Sequence, residues 1–368
     1  MQDMYSLKLS DLEATCADLG VPTVHAKTLY RRLYKDLDPT PWTTPGLPSL
    51  LTRSFQERFR CNEATIAEES LSRYYGTVKF LVKMEDGSLI ESVLMPEKKR
   101  ITLCISSQVG CAMACTFCHT GRMGLKRNLT AGEIAVQVVI AQRWIREHAS
   151  WREERGYPAF VGVSNIVFMG MGEPLDNVDE VSTALHILSD AMGLNLALRK
   201  ISVSTAGHLE GLKILLERFP KVSLALSLHA TTERERSQLM PINRRWPMGT
   251  ILDYLRDFYA QRKDDASLLV QYTVIRGVND GMEHAERIVE LLRDLPVKLN
   301  LIPLNEVEPS RFLSPDPEML EKFRDYVNAA GVRVMIRYSK GQDIAAACGQ
   351  LVIKAEKRHA PDILVAGI

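Results

Sequence analysis

Three cysteines stand close together in Cys111-Ala-Met-Ala-Cys115-Thr-Phe-Cys118, with three and then two residues between them. Thiolates at that spacing, on a loop that follows a short apolar strand, can converge on one soft metal centre. A disulfide framework usually needs even pairing, and a tetrahedral zinc site needs a fourth ligand of similar reach. Neither is supplied nearby. His119 is the one local candidate, and its ring would have to turn back beside Cys118. An iron–sulfur cluster held through three of its four irons fits better, because thiolates are its ligands and the fourth iron stays open for another molecule.

Such a loop needs a rigid support. From about residue 97 the pattern alternates strand and helix, with strands expected at 101–107, 165–169, 200–205, 222–228, 268–275, 297–302 and 333–336. This alternation predicts a parallel sheet, open or closed, within one long domain. Thr130-Ala-Gly-Glu133 fits a capping box that opens the first long helix. In barrel-like α/β folds chemistry gathers at the C-terminal ends of strands, where most of the core phrases singled out here lie. Thr102, Cys104 and Ser106 share one face of the first strand and are expected to line the interior, so that Cys104 points toward the cluster loop. A buried, inert thiol is the ordinary state of such a cysteine. The second strand ends in Gly170-Met-Gly-Glu-Pro174, where glycines let backbone approach a ligand and a carboxylate suits an ammonium group. The same residues also make a plain turn.

Upstream, residues 7–20 and 26–35 carry leucines and tyrosines at helical spacing, followed by a Pro-rich break and a further helical stretch to about residue 60. Arg31, Arg32 and Lys35 give one helix a basic face, as solvated helices often have and as RNA backbone would accept. Residues 75–84 and 89–95 flank Glu85-Asp-Gly-Ser88 and read as a hairpin. Alternation places Glu91 in a row with Leu89, Val93 and Met95. A carboxylate in an apolar row is either paired or poised to take a proton near neutral pH. Cys348 lies in Gly341-Gln-Asp-Ile-Ala-Ala-Ala-Cys-Gly-Gln350, whose small residues let it approach a crowded site. Composition alone favours a helix packed through its alanines there. Lys98-Lys-Arg100, Lys126-Arg127 and Arg244-Arg245-Trp246 are basic clusters at expected loops, the last with an aromatic ring able to stack on a base.

Length and composition set outer bounds. The 368 residues suggest one large domain plus a smaller one, and 46% hydrophobic with 25% charged residues is ordinary globular composition. A net charge of +1 means that any nucleic-acid surface must be a local patch. No run approaches the ~20 apolar residues that span a bilayer, so a cytoplasmic protein without a membrane segment is expected. Seven cysteines, four of them between positions 104 and 118, suit a reducing compartment. Cys16 and Cys61 read as core filler.

Beyond the triad, Leu103-Cys104-Ile-Ser-Ser-Gln-Val-Gly-Cys111, the Thr-Gly after His119, Arg127-Asn-Leu-Thr130, Gly170-Met-Gly-Glu-Pro174 and Ala347-Cys348-Gly-Gln-Leu351 occur in that order. Together they resemble the RlmN/Cfr family of RNA adenine methyltransferases, within the radical S-adenosylmethionine (SAM) enzymes, over nearly the whole chain. The resemblance implies an incomplete (β/α)6 radical SAM barrel at 97–343. It adds an N-terminal accessory domain of helices and a β-hairpin at 1–96 that helps bind RNA, and a C-terminal segment at 344–368 that carries a methyl group. It also implies a 4Fe–4S cluster on Cys111, Cys115 and Cys118, whose open iron chelates SAM, with further SAM contacts from Gly172, Glu173, Ser204, Ser227, Leu228, His229 and Asn305.

In the mechanism so implied, Cys348 takes a methyl group from one SAM. A radical from a second SAM removes a hydrogen from that group, and its carbon then adds to an electrophilic ring carbon of adenine. After the adduct loses an electron, Glu91 accepts the ring proton, and Cys104 attacks Cys348 to release methyladenosine and leave a disulfide. The implied substrates are 23S rRNA and tRNA next to the anticodon, with flavodoxin or ferredoxin as electron donor and a monomeric enzyme. Pro174 after Glu173 is similar to the RlmN branch, which methylates C2; alanine stands there in the C8 branch. The rival readings are C8 methylation, a radical SAM enzyme acting on a peptide or small molecule, and a non-catalytic RNA-binding protein with a structural metal.

Overall fold

The computed structural model describes residues 1–351 apart from 160, 263 and 307–310, so most of the expected 344–368 segment lies outside the described residues. The chain opens with helices α1 (Leu9–Asp18), α2 (Val24–Tyr34) and α3 (Ser49–Arg58). Strands β1 (Thr65–Leu71), β2 (Val78–Lys83), β3 (Leu89–Glu97) and β4 (Arg100–Cys104) follow. Strand and helix then alternate: α4 (Ala131–Glu147), β5 (Asn165–Phe168), α5 (Val178–Ser189), β6 (Ile201–Thr205), α6 (Leu209–Arg218) and β7 (Ser223–Ser227). Two helices, α7 (Glu233–Leu239) and α8 (Met248–Ala260), lead to β8 (Leu268–Val274), α9 (Met282–Leu292), β9 (Val297–Pro303), α10 (Pro317–Ala329) and β10 (Val334–Ile336).

These ten strands form one sheet in strict chain order. Strands β1 to β4 pair antiparallel and β4 to β10 pair parallel. Six strand–helix units thus precede the short β10. Right-handed crossovers that always advance in one direction place the helices on one face. The other face is left to side chains. The edge strands β1 and β10 do not meet, so the sheet is open. The expected hairpin is formed by β2 and β3, and β3 runs through position 96 and pairs on with β4, with Val93 opposite Cys104 and Met95 opposite Thr102.

The N-terminal helices lock onto α4. Tyr5, Tyr30 and Tyr34 are buried, Tyr30 and Tyr34 lie 4.8 Å apart, and the Tyr34 hydroxyl donates to the Tyr5 carbonyl at 3.1 Å. The Gly132 N–H donates to the Ser6 hydroxyl at 3.1 Å, and a Cβ at Gly132 would lie 2.3 Å from the Asp3 carboxylate. Arg143 of α4 reaches the Leu37 carbonyl at 2.9 Å. The expected capping box is formed: the Glu133 N–H donates to the Thr130 hydroxyl at 3.2 Å, and the Thr130 N–H donates to the Glu133 carboxylate at 2.9 Å. Replacing a Thr cap with Ala removes about 1 kcal/mol. Thr130→Ala is therefore expected to lower the melting temperature by about 2 °C, read by differential scanning calorimetry.

Candidate functional site

The cysteine loop leaves the end of β4 through a narrow neck. Residues Gln108–Gly110 pair antiparallel with Leu125–Asn128, and the Cys111 N–H donates to the Gly124 carbonyl at 3.0 Å. Gly110 has φ 79°, and a Cβ there would sit 1.9 Å from that same carbonyl, so the neck closes only with glycine. Within the loop the Cys118 N–H donates to the Cys115 carbonyl, and the Thr116 N–H reaches the Leu239 carbonyl at the end of α7. Burial pushes the Cys111 thiol up to about 12 and raises Cys115 and Cys118 as well, and charges on Cys111 and Cys118 would raise Cys115 further. Three mutually close thiols that resist ionisation need a cationic centre to become thiolates.

The kind of centre is constrained by the donor set. Among the described residues, no three His, Cys, Asp or Glu side chains converge on a point that one ion could occupy. Thiolates on a single zinc lie about 3.8 Å apart, given a Zn–S bond of ~2.3 Å and tetrahedral angles. A cluster gives each thiolate its own iron and so spreads them wider. Three free cysteine thiols on one loop, with no fourth cysteine in it, suit a cluster that keeps one iron open.

The strand ends beside the loop are densely wired. Gly172 has φ 99°, and a Cβ there would lie 2.6 Å from the Gln108 side chain. Glu173 is buried, accepts from the Leu175 N–H at 3.1 Å and the Ala206 N–H at 2.7 Å, and is pushed up to about 7 by burial. Its charge acts on both Cys111 and Cys115. Ser204 donates to the Phe168 carbonyl at 2.5 Å, which leaves the lone pairs of its hydroxyl for a ligand. Ser227 and Leu228 are held by a side chain that sequence reasoning missed: the fully buried Arg236 donates to the carbonyls of Ala206, Ser227 and Leu228 at 2.7 to 3.1 Å and to Asn243 at 2.7 Å. In the sequence it sits among charges as if on a solvated helix.

His229 adopts φ 55°, and its Nδ1 accepts from the Thr273 N–H at 2.9 Å. Burial, aided by Arg236, drives it down to about 3, so the ring is neutral and its Nε2 carries the proton. It packs edge-on against Phe117 of the cysteine loop at 5.1 Å. At the end of β9, Asn305 accepts from the Gln342 amide at 2.9 Å and donates to the Cys348 carbonyl at 3.5 Å.

Cys348 is thereby brought to the loop. The His119 N–H donates to the Gly349 carbonyl at 2.9 Å, and the Cys348 sulfur is near enough for its charge to raise both Cys104 and Cys118. Cys104 is buried, and burial is the main cause that lifts its thiol. Glu91 is also buried, and its carboxylate pairs with Lys79 Nζ at 3.2 Å. The same ammonium donates to the Ala345 carbonyl at 3.2 Å. Cys348, Thr102, Met95 and Met169 line a cavity of about 420 Å³ that Arg199, Lys200, Lys298 and Arg337 also line.

The radical SAM superfamily family model matches residues 105–292. Over 351 residues the chain is 41% identical to the dual-specificity RNA methyltransferase RlmN of Geobacter sulfurreducens, covering 95% of this chain and 92% of the relative. RlmN 2 of Myxococcus xanthus is 40% identical over 367 residues, covering 98% and 93%. The crystal structure of a radical SAM methyltransferase from Sphaerobacter thermophilus superposes with a TM-score of 0.86 at 38% identity, over 95% of this chain and 99% of that one. The chain belongs to the RlmN family of radical SAM enzymes.

In this RlmN-family chain all seven cysteines are free, so the disulfide between Cys104 and Cys348 that the resemblance implies is not formed here. Two of the expected RNA contacts are engaged within the protein. Trp246 is buried, packed on His208 at 4.1 Å and covered by Arg245, so it presents no face to a base. Arg127 is bonded to Asp86 at 2.7 Å and to both oxygens of Glu133 at 2.7 and 2.8 Å. Arg32 pairs with Asp36 and Asp38, whereas Arg31 is exposed.

The neutral His229 has a consequence for stability. Its folded pKa lies below the ordinary value, so it stabilises the fold above about 6.5, and that contribution is lost as pH falls toward about 3. The slope is about 1.4 kcal/mol per pH unit at most. His229→Gln is expected to flatten the loss of stability between pH 6.5 and 5, measured by urea unfolding of the two proteins side by side.

Proposed function

We propose that this RlmN-family enzyme methylates C2 of adenosine in 23S rRNA, and in tRNA next to the anticodon, by way of an S-methyl group on Cys348. The observation that supports this reading is the seating of the Cys348 segment on the cysteine loop, through the His119 N–H to Gly349 carbonyl bond at 2.9 Å, with Cys348 lining one cavity with Thr102 and Met169. One further thiol would suffice for a covalent intermediate; two, one at each side of the transferred carbon, are what release from a thioether needs. The names of the relatives, which act on RNA with dual specificity, support an RNA substrate of two kinds.

Cys111, Cys115 and Cys118 would hold the cluster, with Gly172, Glu173, Ser204, Ser227, Leu228, His229 and Asn305 around SAM. The cluster, when bound, supplies the electron that cleaves SAM to a 5′-deoxyadenosyl radical. Cys348, ionised, accepts a methyl group and later presents its carbon to the adenine ring. Once the radical adduct has given up one electron, Glu91 takes the ring proton. Cys104 then attacks the Cys348 sulfur, the S–C bond breaks, methyladenosine leaves, and a disulfide remains for an external thiol to reduce. The wall around Glu173, closed by backbone N–H groups from Leu175 and Ala206, keeps that carboxylate in one orientation for the SAM ammonium.

The lining of the cavity supports a polyanionic substrate. Arg100 and Lys340 pair with Glu97, but no carboxylate partner is found among the described residues for Arg199, Lys200, Lys298 or Arg337. Free cations around an opening that leads to Cys348 suit phosphates on either side of an everted adenosine. Pro174 after Glu173 favours the C2 branch. A one-electron donor such as flavodoxin or ferredoxin would serve the cluster of a monomeric, cytoplasmic enzyme. No helix among the described residues is long and apolar enough to cross a membrane.

Nucleosides from ribosomal RNA and tRNA of a host lacking its own enzyme, with and without this protein, test the proposal by mass spectrometry. 2-Methyladenosine is expected, and it is expected to vanish in Cys348→Ala and Cys104→Ala while iron and sulfide content stay unchanged. 8-Methyladenosine would overturn the choice of carbon; its absence together with that of 2-methyladenosine, in protein that cleaves SAM, would overturn the substrate.

A further inference from the structure

Sheet register places four residues side by side. Lys79 on β2 is opposite Val93 on β3, Val93 is opposite Cys104 on β4, and Cys104 is opposite Val167 on β5. Directly opposed residues point to the same face of a sheet. Glu91, two positions along β3 from Val93, shares that face. The thiol and the carboxylate to which the reaction assigns different jobs are thus set within one small patch, with Lys79 at its border.

Lys79 is placed there as a buried cation with two acceptors. Its side chain is only 13% exposed and that of Glu91 5%. Its ammonium lies 3.2 Å from the Glu91 carboxylate and 3.2 Å from the Ala345 carbonyl, three residues before Cys348. Ala345 has φ 50°, a left-handed conformation that a residue with a Cβ adopts only when its surroundings impose it. Asp343 of the same segment accepts from the Ser72 hydroxyl at 2.9 Å and the Arg73 N–H at 3.1 Å. On the far side of Cys348, Gly349 is bonded to the cysteine loop through the His119 N–H. The carrier segment is therefore moored to the hairpin at one end and to the loop at the other, with Cys348 between.

We propose that Lys79 is a positioning residue for methyl transfer: one ammonium holds the carboxylate that takes the ring proton and, at the same time, the backbone of the segment whose cysteine holds the carbon. This group ties base and carrier segment to each other directly, where the other moorings hold the segment alone. The inference rests on the reading of Glu91 as the proton acceptor. It requires nothing of Lys79 in the earlier step, in which Cys348 is methylated without RNA.

The experiment separates the two steps in full-length, cluster-loaded protein. Lys79→Met is expected to keep Cys348 S-methylation, read by peptide mass spectrometry, within about two-fold, whereas methyladenosine formation on ribosomal RNA falls about 100-fold, as a misplaced base would cause. The unresolved thioether is expected to accumulate as protein-linked RNA on a denaturing gel. Lys79→Arg, which keeps a cation with forked donors, is expected to restore most of the turnover. Hydrogen exchange in residues 341–350 is expected to quicken in Lys79→Met alone.

Equal loss of S-methylation and product in Lys79→Met, with no rescue by arginine, would show a merely structural role and overturn the proposal; so would unchanged product formation. Glu91→Gln distinguishes the underlying reading. If it retains full methyladenosine formation, the base assignment fails; if it loses it while Lys79→Met does not, the role of Lys79 fails alone.

Discussion

The pairing of β3 with β4 is the constraint on which this site depends. It joins an antiparallel hairpin to a parallel sheet, and its register decides which side chains enter the interior. Val93 opposite Cys104 fixes Glu91, Lys79 and Cys104 on one face. A slip of one residue would send the carboxylate outward and leave the thiol without its neighbours. Both faces of β3 are largely buried, Ile90 and Leu94 on one side and Glu91 and Val93 on the other, so hydrophobic burial holds the register against that slip.

Charge is managed around this frame by burial and by backbone groups more than by surface ion pairs. Arg236 spends its guanidinium on three carbonyls at the ends of β6 and β7 and on Asn243. Exposed carbonyl ends that converge on a cavity would otherwise repel one another and any bound carboxylate. The positive charge nearby also keeps His229 neutral. The result is a strand-end surface with fixed dipoles and few mobile charges, which costs no reorganisation when a zwitterionic ligand arrives.

Much of this was legible in the sequence because it is local. The Thr130–Glu133 cap, the Asp86-Gly87 hairpin turn, the βα alternation and the inward face of Thr102 and Cys104 depend on period, turn chemistry or spacing within a few residues. The burial of Glu91 followed from alternation, but its partner did not, since Lys79 is one of several lysines in alternating strands and only the β2–β3 register selects it. Arg236 was passed over and Trp246 taken as a free stacking surface for the same reason. A charged or aromatic residue in a polar stretch looks solvated until the neighbouring strands and helices close over it. The joining of the hairpin to the following strand was not legible either, because hairpin strands leave an edge that the next strand can join without any local signal.

Strict chain order in the sheet bears on how the protein is made. Each strand emerging from the ribosome finds its partner already present, so pairing proceeds from β1 to β10 without waiting for distant sequence. The tie between His119 and Gly349 is different: it spans more than two hundred residues and forms last. Until then the cysteine loop stands uncovered. Closure of the site is thus ordered by topology, with the segment that bears Cys348 laid over the loop after the sheet is built.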